Sequence, residues 1–392
     1  MATFLFLMIC IIYIGLGLPD SILGSAWPSI YSDLNLPISY ANFITFLISF
    51  GTVTASFFSA RLINKVGTGA LTSISTVLTT LCLLAFSFSN SILFFCLLAI
   101  PLGFGAGAID AALNNYVAVR YSPKHMSFLH CFYGIGVSLS PFLMSFALSL
   151  TKSWRQGYRL VFLLMVVISI ISIFILPVWK KIKNNSIKDN SDFTPITLSL
   201  KQMFKMPAIR TAVLVFFFSV ALEFTCGIWS CTYLVKTQNL TEATASRYLT
   251  FFYAGITIGR FVSGLISKKI KMEAIVYIGY FIIGTAILLL FLPLPPIFKA
   301  ISLFFIGFGN GPIFPNLTYL TPIKFGKEIS QSVIGIQMTA CNLGILVMPP
   351  VFGFVAQYLG IHIFPIFLLI LFLITLFSTI VYSKQTCAQN KK

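Results

Sequence analysis

Apolar residues run through this chain in blocks too long for a globular core. They lie near 3–30, 38–60, 70–89, 91–119, 127–150, 158–178, 208–235, 243–266, 272–293, 297–320, 329–358 and 361–383, separated by short polar turns. A helix that crosses the hydrocarbon of a bilayer needs about 20 mostly apolar residues, because no backbone group there can stay unpaired. The blocks therefore predict twelve transmembrane helices. They are too long for barrel strands and show no period-two alternation. The expected fold is all-α, a polytopic membrane protein.

The polar positions divide this pattern in two. Residues 179–206 form the one long polar stretch. They predict a connecting loop between a six-helix bundle at 1–178 and a second at 207–392. The two halves repeat. Gly103-Phe-Gly-Ala-Gly-Ala-Ile109 parallels Gly307-Phe-Gly-Asn-Gly-Pro-Ile313 at an offset of 204, and Gly51 and Ser59 match Gly255 and Ser263 at the same offset. Gly136 to Pro141 matches Gly344 to Pro349 at 208. Single glycine matches are common in membrane helices; several at nearly one offset predict two pseudo-symmetric halves. That is the layout of a transporter class whose solute site lies near the midplane, between the halves.

Composition agrees. The chain is 58% hydrophobic and 9% charged, whereas a soluble domain carries about 25% charge. The net charge of +17 does not point to nucleic acid, because the basic residues sit in the short turns. Nineteen of the 26 Lys and Arg fall on the side of the termini, among them Arg61, Lys65, Arg120, Lys188, Lys201, Lys268 and Lys391. Six fall on the other side: Lys152, Arg155, Arg159, Lys236, Arg247 and Lys299. Basic loops stay in the cytoplasm, so both termini and the connecting loop are expected there, in a cell membrane. The first basic residue is Arg61; the N-terminal run lacks the basic region of a cleaved signal and is read as a retained helix. The eight cysteines show no CxxC spacing and read as small buried hydrophobes, not metal ligands or disulfides. No cofactor is expected.

Three of the nine acids lie deep in predicted helices: Asp20, Asp110 and Glu223. A charge at the bilayer centre costs about 2.5–3.5 kcal/mol on insertion scales, so these side chains are expected to face a protein interior or a water-filled cavity. A carboxyl taken out of water favours its neutral form and can exchange a proton near neutral pH. Each acid is read as a proton-coupling group or as a permanently protonated structural one. Gly103, Gly107, Asp110 and Asn114 share one helix face; Asp20, Gly24 and Trp27 share another; His130, Gly134 and Ser138 share a third. The glycines serve either a cavity or close helix packing. Carboxyls and amides beside an indole suit a sugar, whose hydroxyls take hydrogen bonds while its ring stacks. Trp27, Asn114, His130, Tyr133, Trp229, Asn310, Gln337 and Asn342 are the candidate solute-binding residues; the amides serve either solute or a neighbouring helix. Arg260, near the cytoplasmic end of its helix, is expected to snorkel to the interface.

The layout resembles the major facilitator superfamily across nearly the whole chain. Ala60-Arg-Leu-Ile-Asn-Lys-Val-Gly-Thr68 is similar to that superfamily's G-x-L-a-D-r-x-G-r loop, with Leu62, Lys65 and Gly67 in place, Ala60 for the leading Gly and Asn64 for the usual acid. Asp20-Ser-Ile-Leu, with Pro28 downstream, resembles the first helix of the fucose permease group of sugar–proton symporters. Asp110-Ala-Ala-Leu-Asn114 is similar to that group's E-T-A-A-N motif, and His130-Cys-Phe-Tyr-Gly-Ile-Gly136 to its Q-x-F-N-P-x-G segment. The resemblance implies a coupling carboxylate at Asp20 and at Asp110 and a solute contact at Asn114. His130 stands for a sugar-binding Gln and Tyr133 for an Asn, so fucose itself is not implied. Glu223-Phe-Thr-Cys-Gly-Ile-Trp229 resembles the E-x-x-x-G-x-W pattern of related sugar permeases.

The expected function is therefore alternating-access transport of a small polar solute, a sugar or sugar-like compound, coupled to protons. Two other classes compete. An efflux carrier of the same fold wants a large apolar cavity, and a membrane sensor wants a folded signalling domain. An enzyme is not expected, since the sequence holds no HExxH or GxSxG motif.

Overall fold

The computed structural model describes residues 2–121, 123–183, 198–267 and 269–389. Residues 184–197 of the connecting loop, including Lys188, lie outside the described residues. So do Lys268, Lys391 and Lys392, and the side chains of Ala60 and Asn64. The first half runs α1 Ala2–Asp33, α2 Ala41–Val66, α3 Thr68–Phe86, α4 Ile92–Arg120, α5 Pro123–Thr151 and α6 Trp154–Phe174. Two short helices follow, α7 Leu176–Lys183 and α8 Leu200–Lys205. The second half runs α9 Pro207–Gln238, α10 Glu242–Ile266, α11 Met272–Phe291, α12 Pro296–Asn310, α13 Ile313–Phe325, α14 Lys327–Leu359 and α15 Phe364–Gln389. Among the described residues, twelve spans are long and apolar enough to cross a membrane. The outer face carries exposed rings such as Phe57, Phe174 and Phe281, which suits lipid as the surrounding solvent.

Local chemistry explains the departures from the simple pattern. The predicted helix at 297–320 is two, α12 and α13, broken at Gly311 and Pro312, where a proline lacks the N–H to continue the ladder. Part of the expected loop is helical. Ser199 and Gln202 form a reciprocal capping box that starts α8. Trp179 on α7 packs against Gly69 and, 4.5 Å between ring centroids, against Tyr116. Between α2 and α3 the chain turns at Gly67 with φ +84°, a left-handed backbone that a side chain would strain.

The repeat is visible as packing. A Cβ on Gly51 would strike Ile100 O, and one on Gly103 or Gly107 would strike the backbone of Ile48 or Thr52, so α2 and α4 touch main chain to main chain. The pattern returns 204 residues later: Gly255 meets Phe304 O, Gly307 meets Phe252 O and Gly311 meets Ile256 O, joining α10 to α12. Small residues permit this approach, and dispersion then holds the helices without help from water. Gly17 on α1 and Gly136 on α5 do the same, seating against Tyr133 O and Ile14 O.

The halves meet along a seam. At the end near residues 33–40 it is closed by small contacts. Gly24 abuts the carbonyl of Gly227, and Gly353 abuts Asn42 and Trp229. Ser145 on α5 donates to Ala243 O at 2.7 Å, while Ser246 on α10 donates back to Pro141 O at 2.8 Å.

Candidate functional site

The α1–α5 contact at Gly17 and Gly136 sets the first part of the site. Because the backbones touch there, side chains one turn away on α1 and α5 interleave. Tyr133 on α5 donates its hydroxyl to Asp20 Oδ2 on α1 at 2.6 Å. Tyr13, two turns before Asp20 on the same face of α1, donates to Asp110 Oδ1 on α4, also at 2.6 Å. Asn114, one turn after Asp110, gives the same oxygen a second bond at 2.8 Å from Nδ2. The rings of Tyr13 and Tyr133 lie 6.2 Å apart, and that of Tyr13 meets His130 edge-on at 5.7 Å. These short bonds have the length expected when a carboxylate accepts from a hydroxyl.

The second half builds its part differently. Glu223 on α9 is placed like Asp20 on α1: each stands four residues before a glycine of the Gly24–Gly227 contact. Asn310 on α12 donates to Glu223 Oε2 at 2.7 Å. Arg260 on α10 brings its guanidinium within 3.6 Å of Glu223 Oε1, both side chains 14% exposed. That distance makes an ion pair, not a short hydrogen bond. Arg260 Nε also donates to Gly311 O at 3.4 Å. The guanidinium therefore turns inward, and the expected snorkelling is corrected: the close α10–α12 contact at Gly311 supplies a carbonyl, and α9 supplies a carboxylate.

Asp20 and Glu223 face one cavity on the seam. Its wall is Asp20, Tyr133 and Val137 from the first half and Glu223, Phe224, Tyr253 and Ile256 from the second. The cavity volume is about 10 Å³, room for roughly one water, so the two walls are nearly closed on each other. Asp110 is not on this wall; Tyr13 and Asn114 hold it beside the site.

The other candidates fall into place around this centre or away from it. Asn310 touches Glu223. Trp27 and Trp229 are not brought to the wall. Both rings are fully buried, and their indole N–H groups donate to Ile38 O and Pro349 O, each at 2.9 Å. A buried indole finds a polar partner, and here it is backbone; both rings pack at the closed end of the seam, away from the cavity wall. Gln337 is buried and accepts from Thr321 Oγ1 at 3.1 Å. Asn342 is half-buried on α14. Gly103 and Gly107 pack against α2, as described. Among the described residues no group of three His, Cys, Asp or Glu is arranged to hold a metal ion.

Sequence reasoning passed over Tyr13 and Tyr253. Helical spacing could have marked both: Tyr13 stands seven residues before Asp20 and Tyr253 seven before Arg260, on the same helix faces.

With this geometry in place, known proteins supply a frame. The sequence profile of the family described as Major Facilitator Superfamily matches residues 6–349. The Saccharomyces cerevisiae protein named Bypass of stop codon protein 6 is 24% identical over 390 residues, covering 91% of this chain and 78% of its own. A Helicobacter pylori protein named for glucose/galactose transport is 27% identical over 168 residues, 42% of this chain and 40% of that protein's length. The human Sodium-dependent glucose transporter 1 is 27% identical over 149 residues, 37% of this chain and 29% of its own. The crystal structure of the nucleoside transporter NupG superposes with a TM-score of 0.74 over 97% of this chain and 99% of its own. At 13% identity that likeness shows a shared fold.

Proposed function

Since this chain belongs to the Major Facilitator Superfamily, a family of membrane transporters, we propose that it carries a small neutral polyhydroxylated solute, a sugar, in symport with protons. The observation that supports this most directly is the seam cavity, which Asp20 and Glu223, on equivalent helices of the two halves, line together with Tyr133 and Tyr253. Carboxyls and phenols line one space, with the Arg260 guanidinium and the Asn310 amide on Glu223 behind its wall; together they offer both donors and acceptors, which is what solute hydroxyls require. The names of the Helicobacter and human relatives favour a hexose. In this reading the closed seam at residues 33–40 is one end state. Rocking of the halves about the cavity opens it and seals the other end. The coupling protons reside on Asp20 and Asp110, whose partners are neutral donors. Both termini and the connecting loop face the cytoplasm, as the basic residues suggest.

The test is uptake of labelled D-glucose, D-galactose and uridine by proteoliposomes holding the full chain. The expected outcome is accumulation of a hexose only with acid outside, abolished by a protonophore. Accumulation driven by a sodium gradient at constant pH would overturn the proton assignment. Entry of all three solutes at the protein-free rate would overturn the solute class.

A further inference from the structure

If the cavity is a proton-coupled solute site, Tyr133 stands between the two things such a site must link, and its role rests on that assignment. Its hydroxyl donates to Asp20 Oδ2 at 2.6 Å, and its side chain forms part of the cavity wall. A phenol has a single hydrogen to give, and its oxygen can also accept. While Asp20 is ionised that hydrogen is committed to the carboxylate, which is the strongest acceptor within reach. When a proton binds Asp20, the carboxylic acid gains a hydrogen of its own and becomes a donor. The phenol oxygen can take that hydrogen, and its own is then released into the cavity.

We propose that Tyr133 is the positioning residue that couples proton to solute. Protonation of Asp20 turns the phenol hydrogen from the carboxylate to a hydroxyl or carbonyl oxygen of the solute, so that the protonated carrier is the one that holds its cargo. No bond to carbon changes; one proton enters at Asp20 and leaves from it, and one hydrogen bond changes partner. The titratable and charged groups around Asp20 are Asp110 on α4, His130 and Tyr133 on α5, Glu223 on α9, and Tyr253 and Arg260 on α10, with Tyr13 on its own helix.

Tyr13 and Asp110 repeat the motif but do not serve the same end. Asp110 Oδ1 takes Asn114 Nδ2 as well as Tyr13, so its acceptor is shared and held. Tyr13 is fully buried and off the cavity wall, so a released hydrogen there meets no solute. Glu223 lacks the device, because its partners are an amide and a guanidinium; neither can accept a hydrogen from a protonated acid through its nitrogen. The switch therefore belongs to the Asp20–Tyr133 pair.

Infrared difference spectra of the full chain in proteoliposomes, taken across pH with no solute present, test this without knowing the cargo. Acidification is expected to raise a carboxylic acid band that is lost in Asp20→Asn. At the same midpoint a tyrosine ring band should change, and that change should be lost in Tyr133→Phe. In Tyr133→Phe the acid band should persist with a moved midpoint, the melting temperature should stay near that of the unaltered protein, and D-glucose uptake should lose its dependence on external pH. A purely structural hydroxyl would lower the melting temperature and leave both pH profiles alone. The idea is overturned if no acid band depends on Asp20, if the acid band rises without a tyrosine change, or if Tyr133→Phe keeps the original midpoint. Absent hexose uptake beside an intact infrared signature would instead overturn the solute assignment and leave the switch standing.

Discussion

Asp20 and Glu223 occupy equivalent places in the two halves, yet they are met by different chemistry. Asp20 accepts from a phenol and, among the described residues, has no cation as a hydrogen-bonding partner. Glu223 faces the Arg260 guanidinium and the Asn310 amide. The backbone repeats closely, down to which carbonyl is touched by Gly51 and Gly255, Gly103 and Gly307, and Gly107 and Gly311. The side chains in the seam do not. Repeated glycines preserve a way of packing, while the polar residues between them are free to diverge, so one fold can hold an acid met by a phenol opposite an acid met by a guanidinium.

The largest effect should come from removing the two acids proposed to carry the coupling protons. Asp20→Asn and Asp110→Asn are each expected to reduce uptake driven by an acid-outside gradient by about tenfold or more. A hydrogen bond to a charged group contributes about 1.5–3 kcal/mol, and about 1.4 kcal/mol is a factor of ten. Glu223→Gln should keep a pH-dependent component. Unaltered rates in both aspartate variants, or an equal loss in the glutamate one, would erase the contrast between the halves.

Stability should show the same contrast from the other side. Arg260→Ala leaves the mostly buried Glu223 with only the Asn310 amide and is expected to destabilise the protein by about 3 kcal/mol, since a poorly compensated charge out of water is costly. The double variant Glu223→Gln, Arg260→Gln should recover most of that loss, because a neutral amide pair leaves no bare charge. Thermal unfolding of the purified protein reads both. Equal melting temperatures for the single and double variants would mean that the pair is not an interacting unit.

The smallest effect concerns what the halves share. Gly103→Ala and Gly307→Ala each push a methyl into a facing carbonyl and should each cost about 1–3 kcal/mol, as overpacking does. The two melting-temperature shifts should be similar. A loss confined to one half would show that the repeat in packing is not energetically equivalent.

Much of the architecture is legible in the order of residues. Span length and apolarity are local properties dictated by bilayer thickness and by the need to pair every backbone group, so the count of twelve can be read directly. The glycine repeat is legible because a backbone contact admits only a missing side chain, which leaves a mark at a fixed offset. The break at Pro312 and the helices inside 179–206 are harder, because they depend on caps and on Trp179 finding Gly69.

A two-fold repeated bundle of membrane helices with acids in its interior is thus written in local patterns of residues. What each acid meets is settled by the packing of distant segments. Arg260 lies 37 residues from Glu223, and Tyr133 lies 113 from Asp20; such pairings depend on which helix faces touch, and no local periodicity encodes that. The same holds for Trp27 and Trp229, whose rings suited a sugar on composition alone. A carbonyl just past the end of α1, Ile38 O, and a distant one, Pro349 O, accept from their N–H groups at the packed end of the seam.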